Sequence, residues 1–245
     1  SDSEISDITT DLSNGVQLVQ LAQVLTKKDP PRAWSQKPIN KFNQVQNCDL
    51  AIQMFQEDGV QLVGISGKDV NDNNEKLILG LIWSLILKYS IGKSVSNADS
   101  KSSVSNKEAL MTWAKDRVSN YPEMKDFKSY DLSMCALLDS YVPEKIHYSQ
   151  LDLKDTEKNA KLATEVMTDL GIPVYIYPDD VIKSGNKVDD KTLLTQLSSA
   201  KVVLDNLSKV QERSINIGEN AKTEAELSDI EYLKEQNKEF REALL

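Results

Sequence analysis

The chain has 245 residues, 40% of them apolar, and a formal net charge of -9 at neutral pH, which suits two domains of about 100 residues plus an extension. The acidic balance argues against nucleic acid as a main partner and gives no support to a polybasic membrane anchor. Two cysteines, Cys48 and Cys135, lie far apart with no paired spacing, which points to reduced thiols in an intracellular protein, and no apolar leader indicates secretion.

Asp7 to Thr26 begins with a polar turn and then sets Val16, Leu18, Val19, Leu21, Ala22 and Leu25 at amphipathic-helix spacing. Asn14-Gly15 marks the turn or helix start ahead of it. From Lys27 to Lys41 the sequences Asp29-Pro30-Pro31 and Lys37-Pro38 disfavour helix and predict a surface loop. A second helix is predicted from Val45 to Asp58, burying Leu50, Ala51, Met54 and Phe55, with Gly59 to Val70 as a short connection. Glu75 to Ile91 is then apolar on nearly every side, where a surface helix carries one apolar stripe, so it is expected to be the central buried helix of its domain. A membrane span needs roughly twenty uncharged residues, and Lys76 and Lys88 leave only about eleven between them.

Gly92 to Lys107 is rich in Ser, Asn, Lys and Asp, and its only apolar residues are Ala98 and two valines. It reads as an interdomain linker that buries nothing. Glu108 to Val118, with Leu110, Trp113, Ala114 and Arg117 at helical spacing, begins a second domain. Leu132 to Tyr141 and Asn159 to Leu170 are its next helices, the latter closed by Gly171 and Pro173. Asp179-Asp180 caps a short turn. Asp189 to Leu207 makes a final helix with Leu193, Leu194, Leu197, Val202, Val203 and Leu207 on its apolar side. The fold class is therefore all-α, and the similar lengths of the halves point to a repeat of one all-α unit.

In the tail from Ser208 to Leu245, the residues Ile230, Leu233, Asn237, Phe240 and Leu244 step by 3, 4, 3 and 4, the alternation of core positions in a heptad repeat. Asn237 would hold an a position, where a polar residue sets register and strand number. A solvated helix or the first helix of a spectrin-like rod fits the same stretch. If it pairs, it would make a homo- or heterodimer.

Catalytic chemistry has no candidate group, and no cofactor or metal is expected. His147, the one histidine, has no cysteine or acidic pair beside it. Asp69-Val70-Asn71-Asp72-Asn73-Asn74 resembles the start of an EF-hand loop, but Asn74 stands where Gly is needed and Gly80 where a bidentate Glu is needed. A polar helix-capping loop is the better reading. No glycines fall at dinucleotide or phosphate-loop spacing.

Asp11-Leu12-Ser13-Asn14-Gly15-Val16, Asn47, and Leu79-Gly80-Leu81-Ile82-Trp83-Ser84-Leu85-Ile86-Leu87 resemble the first calponin-homology domain of a tandem actin-binding domain. Ala109-Leu110-Met111-Thr112-Trp113, Ala136-Leu137-Leu138, Pro143, Ile146, Leu170-Gly171-Ile172-Pro173 and Pro178-Asp179-Asp180-Val181 resemble the second. Two subtypes stand in the order used by the α-actinin, filamin, spectrin and cortexillin group. The resemblance implies two domains, 1–92 and 107–207, a linker 93–106 and a helical extension 208–245, with Trp83 and Trp113 as buried anchors. Two departures stand out. The family's first domain normally opens with a further helix ahead of Asp11, and Ser1 lies too late to contain it; it was cut away or is not represented in this chain, and if it is truly absent the implied actin affinity is in doubt. The Asp-Gly pair usual before the Ala-Leu helix is Tyr130-Asp131 here, a change expected to alter a loop and leave the fold intact.

Filamentous actin is the partner the resemblance implies, in the cytoplasm at the actin cytoskeleton or cell cortex, for a cross-linking or membrane-skeleton protein. The alternative is a signalling or scaffold adaptor that binds another protein and has little actin affinity. The first domain would provide most of the contact, through Lys37, Asn40, Lys41, Asn43, Gln44 and Gln46, then Lys68, Asn74, Lys76, Ser84 and Lys88. Lys107, Lys115 and Arg117 would form a secondary site. Actin filaments are acidic, so lysines supply attraction while polar residues fix geometry. Phosphoinositide contact needs a basic cluster, and the scattered lysines give it modest support.

Overall fold

The computed structural model describes residues 5–95, 103–121, 127 and 129–217. Every regular element among them is helical, and they fall into two compact units that divide between Tyr89 and Ser90.

The first unit contains α1 (Val16–Thr26), α2 (Lys41–Glu57), α3 (Gly67–Asn71) and α4 (Glu75–Leu85). Turns occupy the stretch before α1 because short side chains take the backbone donors. Asp11 Oδ2 accepts from the N–H of Ser6 at 2.7 Å and of Asp7 at 2.9 Å, and Asp7 Oδ1 from the N–H of Thr9 at 2.8 Å. Helix α2 starts at Lys41, four residues ahead of the predicted start, since Asn40 caps it by accepting from the Asn43 N–H at 2.9 Å. Helix α3 forms inside the expected connection, where Ser66 and Asp69 satisfy each other's backbone N–H groups in a capping box.

Seven buried residues of α2, from Asn47 to Phe55, make it the middle element, packed on α1 and on α3. Two glycines allow that approach. Gly15, at φ 75°, lies so close that a Cβ would stand 2.6 Å from Asn47 Cβ and from the Cys48 nitrogen. A Cβ on Gly67 would stand 2.5 Å from the Val45 carbonyl oxygen. Leu12, Leu18, Val19, Ala22, Leu50, Phe55, Val70, Ile78 and Leu81 fill the core, and full burial of each large one is worth about 1.5–3 kcal/mol.

The expectation of a central, all-round-buried helix over Glu75 to Ile91 is corrected. Only Ile78, Leu81 and Leu85 of α4 are buried, Leu79 is 49% exposed, and Trp83 is half-buried. Apolar composition fixes which residues prefer cover, not how many sides receive neighbours. The buried stripe continues through π-helical turns at Ile86–Ile91 to Tyr89 and Ile91. By length and composition Glu75–Ser94 would also pass for a membrane span; its buried stripe marks it as a packed element.

The second unit holds α5 (Gly92–Ser94), α6 (Ser103–Val118), α7 (Tyr130–Asp139), α8 (Pro143–Ile146), α9 (Thr156–Asp169), α10 (Pro178–Lys183) and α11 (Asp190–Ile217). The stretch expected to bury nothing contains α5, and Val95 is buried. Ser90 and Ser198 share a buried hydroxyl–hydroxyl bond of 2.9 Å. Helix α7 is the central one, buried from Tyr130 through Leu138. Tyr130-Asp131 lies in its first turn, where a loop was expected. The Asp131 carboxylate is fully buried and accepts from Ser129 Oγ at 2.6 Å and Asn186 Nδ2 at 2.5 Å. Val202, expected on the apolar side of α11, is 39% exposed, while Leu194, Leu197, Val203 and Leu204 are buried. Helix α11 runs on past Leu207 to Ile217, and the heptad positions Ile230, Leu233, Asn237, Phe240 and Leu244 lie outside the described residues.

Candidate functional site

The predicted contact residues of the first unit gather mainly at the start of α2 and around α3. Buried Asn47 anchors the loop that leads into α2: it accepts from the Ser35 N–H at 3.1 Å and donates to the Ser35 carbonyl at 2.8 Å and the Asn14 carbonyl at 3.3 Å. Asn71 in α3 ties the other side, donating to the Ser13 carbonyl at 2.9 Å and to Gln44 Oε1 at 3.0 Å. Gly67 N–H donates to Asp49 Oδ1 at 2.5 Å. Loop, α2 and α3 are thus cross-bonded into one rigid frame.

On that frame, Lys41 Nζ lies 2.5 Å from Asp72 Oδ1, and Lys68 Nζ lies 3.7 Å from Asp72 Oδ2. The hydrogen bond from Lys41 is the main cause that holds the Asp72 carboxyl below the usual carboxylate range. Asn43 and Gln46 line a shallow groove of about 430 Å³ with Trp34 and Ser35. Lys37 and Gln44 line another, of about 600 Å³, with Gln17, Gln20 and Ile39.

The remaining predicted residues are more dispersed. Asn74 caps α4 and accepts from the Leu77 N–H at 3.4 Å. Lys76 is exposed, and the Ser84 hydroxyl donates to the Gly80 carbonyl of its own helix at 3.0 Å. Lys88 is exposed beside Asp58, a carboxylate that also receives Lys28 at 2.9 Å and the Tyr89 hydroxyl at 2.9 Å. In the second unit Lys107 is half-buried and Lys115 exposed. Arg117 stacks over the Tyr141 ring, 4.3 Å from its centroid. Trp113, expected as a buried anchor, is half-buried; its indole N–H donates to the Tyr141 hydroxyl, 3.3 Å away, and Lys201 lies over its ring.

Sequence reading missed two apolar residues and one acid at this surface. Ile39 is 95% and Phe42 69% exposed, on either side of the capping residue Asn40. The signal for Phe42 was its helical phase, since it shares a face with exposed Asp49, Gln53 and Gln56 and not with the stripe through Ala51 and Phe55. The acid is Asp72. Among the described residues no cluster of His, Cys, Asp and Glu is placed to hold a metal ion. His147 is exposed at the end of α8, in the left-handed region at φ 51°.

A family model described as the calponin homology (CH) domain matches residues 1–91 and again 104–203. Interaptin of Dictyostelium discoideum is 34% identical over 205 residues, 80% of this chain and 12% of that protein. Alpha-actinin-like protein 1 of Schizosaccharomyces pombe is 28% identical over 214 residues, 84% of this chain and 33% of that protein. Alpha-actinin A of Dictyostelium discoideum is 29% identical over 202 residues, 80% of this chain and 23% of that protein. The chain therefore spans a third or less of the length of these relatives. The solved actin-crosslinking core of Schizosaccharomyces pombe fimbrin shares the fold at a TM-score of 0.60 and 22% identity, over 81% of this chain and 44% of that one.

Proposed function

The chain belongs to the calponin-homology family and carries the domain twice, and from that premise we propose that it is a filamentous-actin-binding module of a cross-linking or membrane-skeleton protein, acting by surface recognition and not by catalysis. The observation that carries this reading is the exposed start of α2. Lys37, Ile39, Asn40, Lys41 and Phe42 stand out of a frame fixed by Asn47 and Asn71. Lysines beside exposed apolar side chains suit an acidic partner that also offers an apolar pocket, with charge steering the approach and the apolar pair anchoring it. Asn43, Gln44, Gln46, Lys68, Asn74, Lys76, Ser84 and Lys88 extend the surface, and Lys107, Lys115 and Arg117 form a secondary site. The named relatives include alpha-actinins, and the fimbrin core is described as actin-crosslinking.

The reading places the protein in the cytoplasm, at the actin cytoskeleton or cell cortex. Pairing through Ile230, Leu233, Asn237, Phe240 and Leu244 would join two modules and give cross-linking. Phosphoinositide contact has less support, because Lys28, Lys41 and Lys68 each face a carboxylate. Filament co-sedimentation of the full chain tests the proposal. The wild type should pellet with filaments, and Lys41→Glu with Lys76→Glu should weaken that binding. A chain that does not pellet, or charge reversals without effect, would return the adaptor reading.

A further inference from the structure

One carboxylate at the candidate surface faces two ammonium groups from different elements. Asp72 Oδ1 takes Lys41 from the start of α2, and Oδ2 takes Lys68 from one turn earlier in α3. All three side chains are open to solvent, at 64%, 74% and 40% exposure for Lys41, Lys68 and Asp72. Exposed pairs of this kind add little to stability, so folding gives them no strong purpose. Asp72 is nevertheless held in place. It closes α3, with its backbone N–H bonded to the Lys68 and Val70 carbonyls, and α3 is pinned by Gly67 to Asp49 and by Asn71 to Ser13 and Gln44. The neighbouring Asp69 is no substitute, because Ser66 takes its carboxylate in the capping box.

We propose that Asp72 is an electrostatic brake on the actin-binding surface: it holds Lys41 and Lys68 in a preformed internal ion trio, so that an acidic partner must displace a carboxylate before it gains either lysine. This rests on the actin-binding reading and adds its regulation. With Asp72 charged, the trio of two ammoniums and one carboxylate presents a net charge of +1; without that charge it presents +2. Asp72 touches the partner only through the two lysines, so it is a positioning residue, and its removal should change affinity and salt dependence with the fold unaltered.

The test is co-sedimentation of the full chain with actin filaments at low and physiological salt, comparing wild type, Asp72→Asn, Asp72→Glu, Lys41→Gln with Lys68→Gln, and the triple variant. Asp72→Asn should bind about two- to fivefold more tightly at low salt, with the gain shrinking as salt screens the freed lysines. Asp72→Glu should restore the brake, and the thermal midpoint of Asp72→Asn should match the wild type. The gain should vanish in the Lys41→Gln, Lys68→Gln background. Equal or weaker binding by Asp72→Asn overturns the proposal, the weaker result meaning that Asp72 orients the lysines productively. A gain that persists without the two lysines also overturns it, since Asp72 would then repel the partner directly. A wild type that does not pellet removes actin as the partner but leaves the brake testable: poly-L-glutamate binding at low salt should still rise in Asp72→Asn, and no rise would overturn the proposal.

Discussion

Helix α7 of the second unit is buried at nine of its ten residues, whereas α4 of the first unit is buried at three of its eleven. The second unit also turns two of its basic groups onto its own rings, Arg117 over Tyr141 and Lys201 over Trp113. In the first unit, Ile39 and Val63 are 95% and 91% exposed, and Lys41, two residues from Ile39, pairs with the solvent-exposed carboxylate of Asp72. Single exposed apolar residues are ordinary; Ile39 and Phe42, flanking the cap Asn40 with Lys41 between them, form a patch. The contrast is one of degree within the same domain type: the second unit also exposes Tyr177 and Ile182, at 56% and 45%, but the most exposed large apolar residues, Ile39 and Val63, are in the first.

The largest expected effects come from breaking each interior separately. Phe55→Ala in the first unit should cost about 3–5 kcal/mol, and Leu137→Ala in the second about 2–5 kcal/mol, since both side chains are fully buried. Each unit carries its own reporter. Burial pushes the thiols of Cys48 and Cys135 up to about 12, so neither is a nucleophile while folded. Phe55→Ala should speed thiol labelling at Cys48 and leave Cys135 slow, and Leu137→Ala should do the reverse. Equal acceleration at both thiols would mean that the units open as one.

Next in size is the surface difference. Ile39→Asp with Phe42→Asp should lower filament affinity about tenfold or more, because apolar anchors dominate interfaces, while the urea midpoint of the first unit stays near that of the wild type. Val63→Asp, at another exposed apolar residue of the same unit, serves as the control. A similar loss there would point to general repulsion and remove the special status of the α2 start.

Much of the fold was legible because helix periodicity and caps are local. The apolar runs of α1, α2, α9 and α11 and the Gly171–Pro173 stop need no tertiary information. Helix α3 was missed although Ser66 and Asp69 stand at local capping-box spacing, because five residues are too few to show a period. Cover was also illegible: the composition of α4 exceeds what its single buried stripe requires, and Val95 finds burial in a stretch that reads as linker. The exposure of Trp113 depends on packing that its local sequence does not show, and its polar partner Tyr141 is 28 residues away. At the candidate surface, lysines stood out by charge, whereas Ile39, inside the predicted surface loop, and Phe42, ahead of the predicted helix, carried no charge to single them out. The coupling of Lys41 to Asp72 across 31 residues could only come from packing α3 on α2.

A smaller effect should separate the units' polar interiors. Tyr141 accepts from Trp113 Nε1 and donates to Asp205 Oδ1 at 3.2 Å, while its ring lies under Arg117. Tyr141→Phe keeps the ring and loses both bonds, which should cost the second unit about 1 kcal/mol. Cys135 labelling should rise modestly and filament binding should not change. Weakened filament binding would show that α6 depends on this cluster to present Lys107 and Lys115.

The smallest effect is expected at Asp58, which accepts from the hydroxyl of Tyr89, the last described residue of the first unit. Burial alone would raise its pKa, but hydrogen bonds from Lys28 and from the Tyr89 hydroxyl, with the charges of Lys28 and Lys88, outweigh it and hold the carboxyl below its ordinary value. A carboxylate with a depressed folded pKa stabilises the fold above its unfolded pKa of about 4, and that contribution is lost as pH falls through the lower folded value. Asp58→Asn should therefore make the acid-induced loss of first-unit stability below about pH 4 only slightly shallower, since Asp7, Asp11, Asp69 and Asp72 are also held low, read as the urea dependence of amide hydrogen exchange in α2. The second unit has its own depressed carboxylate at Asp189, held low mainly by the Thr192 hydroxyl, so the acid limb read by hydrogen exchange in α7 should stay as it was. If both limbs flattened together, Asp58 would be coupled to the whole chain, and the separation of the two interiors at Tyr89 and Ser90 would not hold energetically.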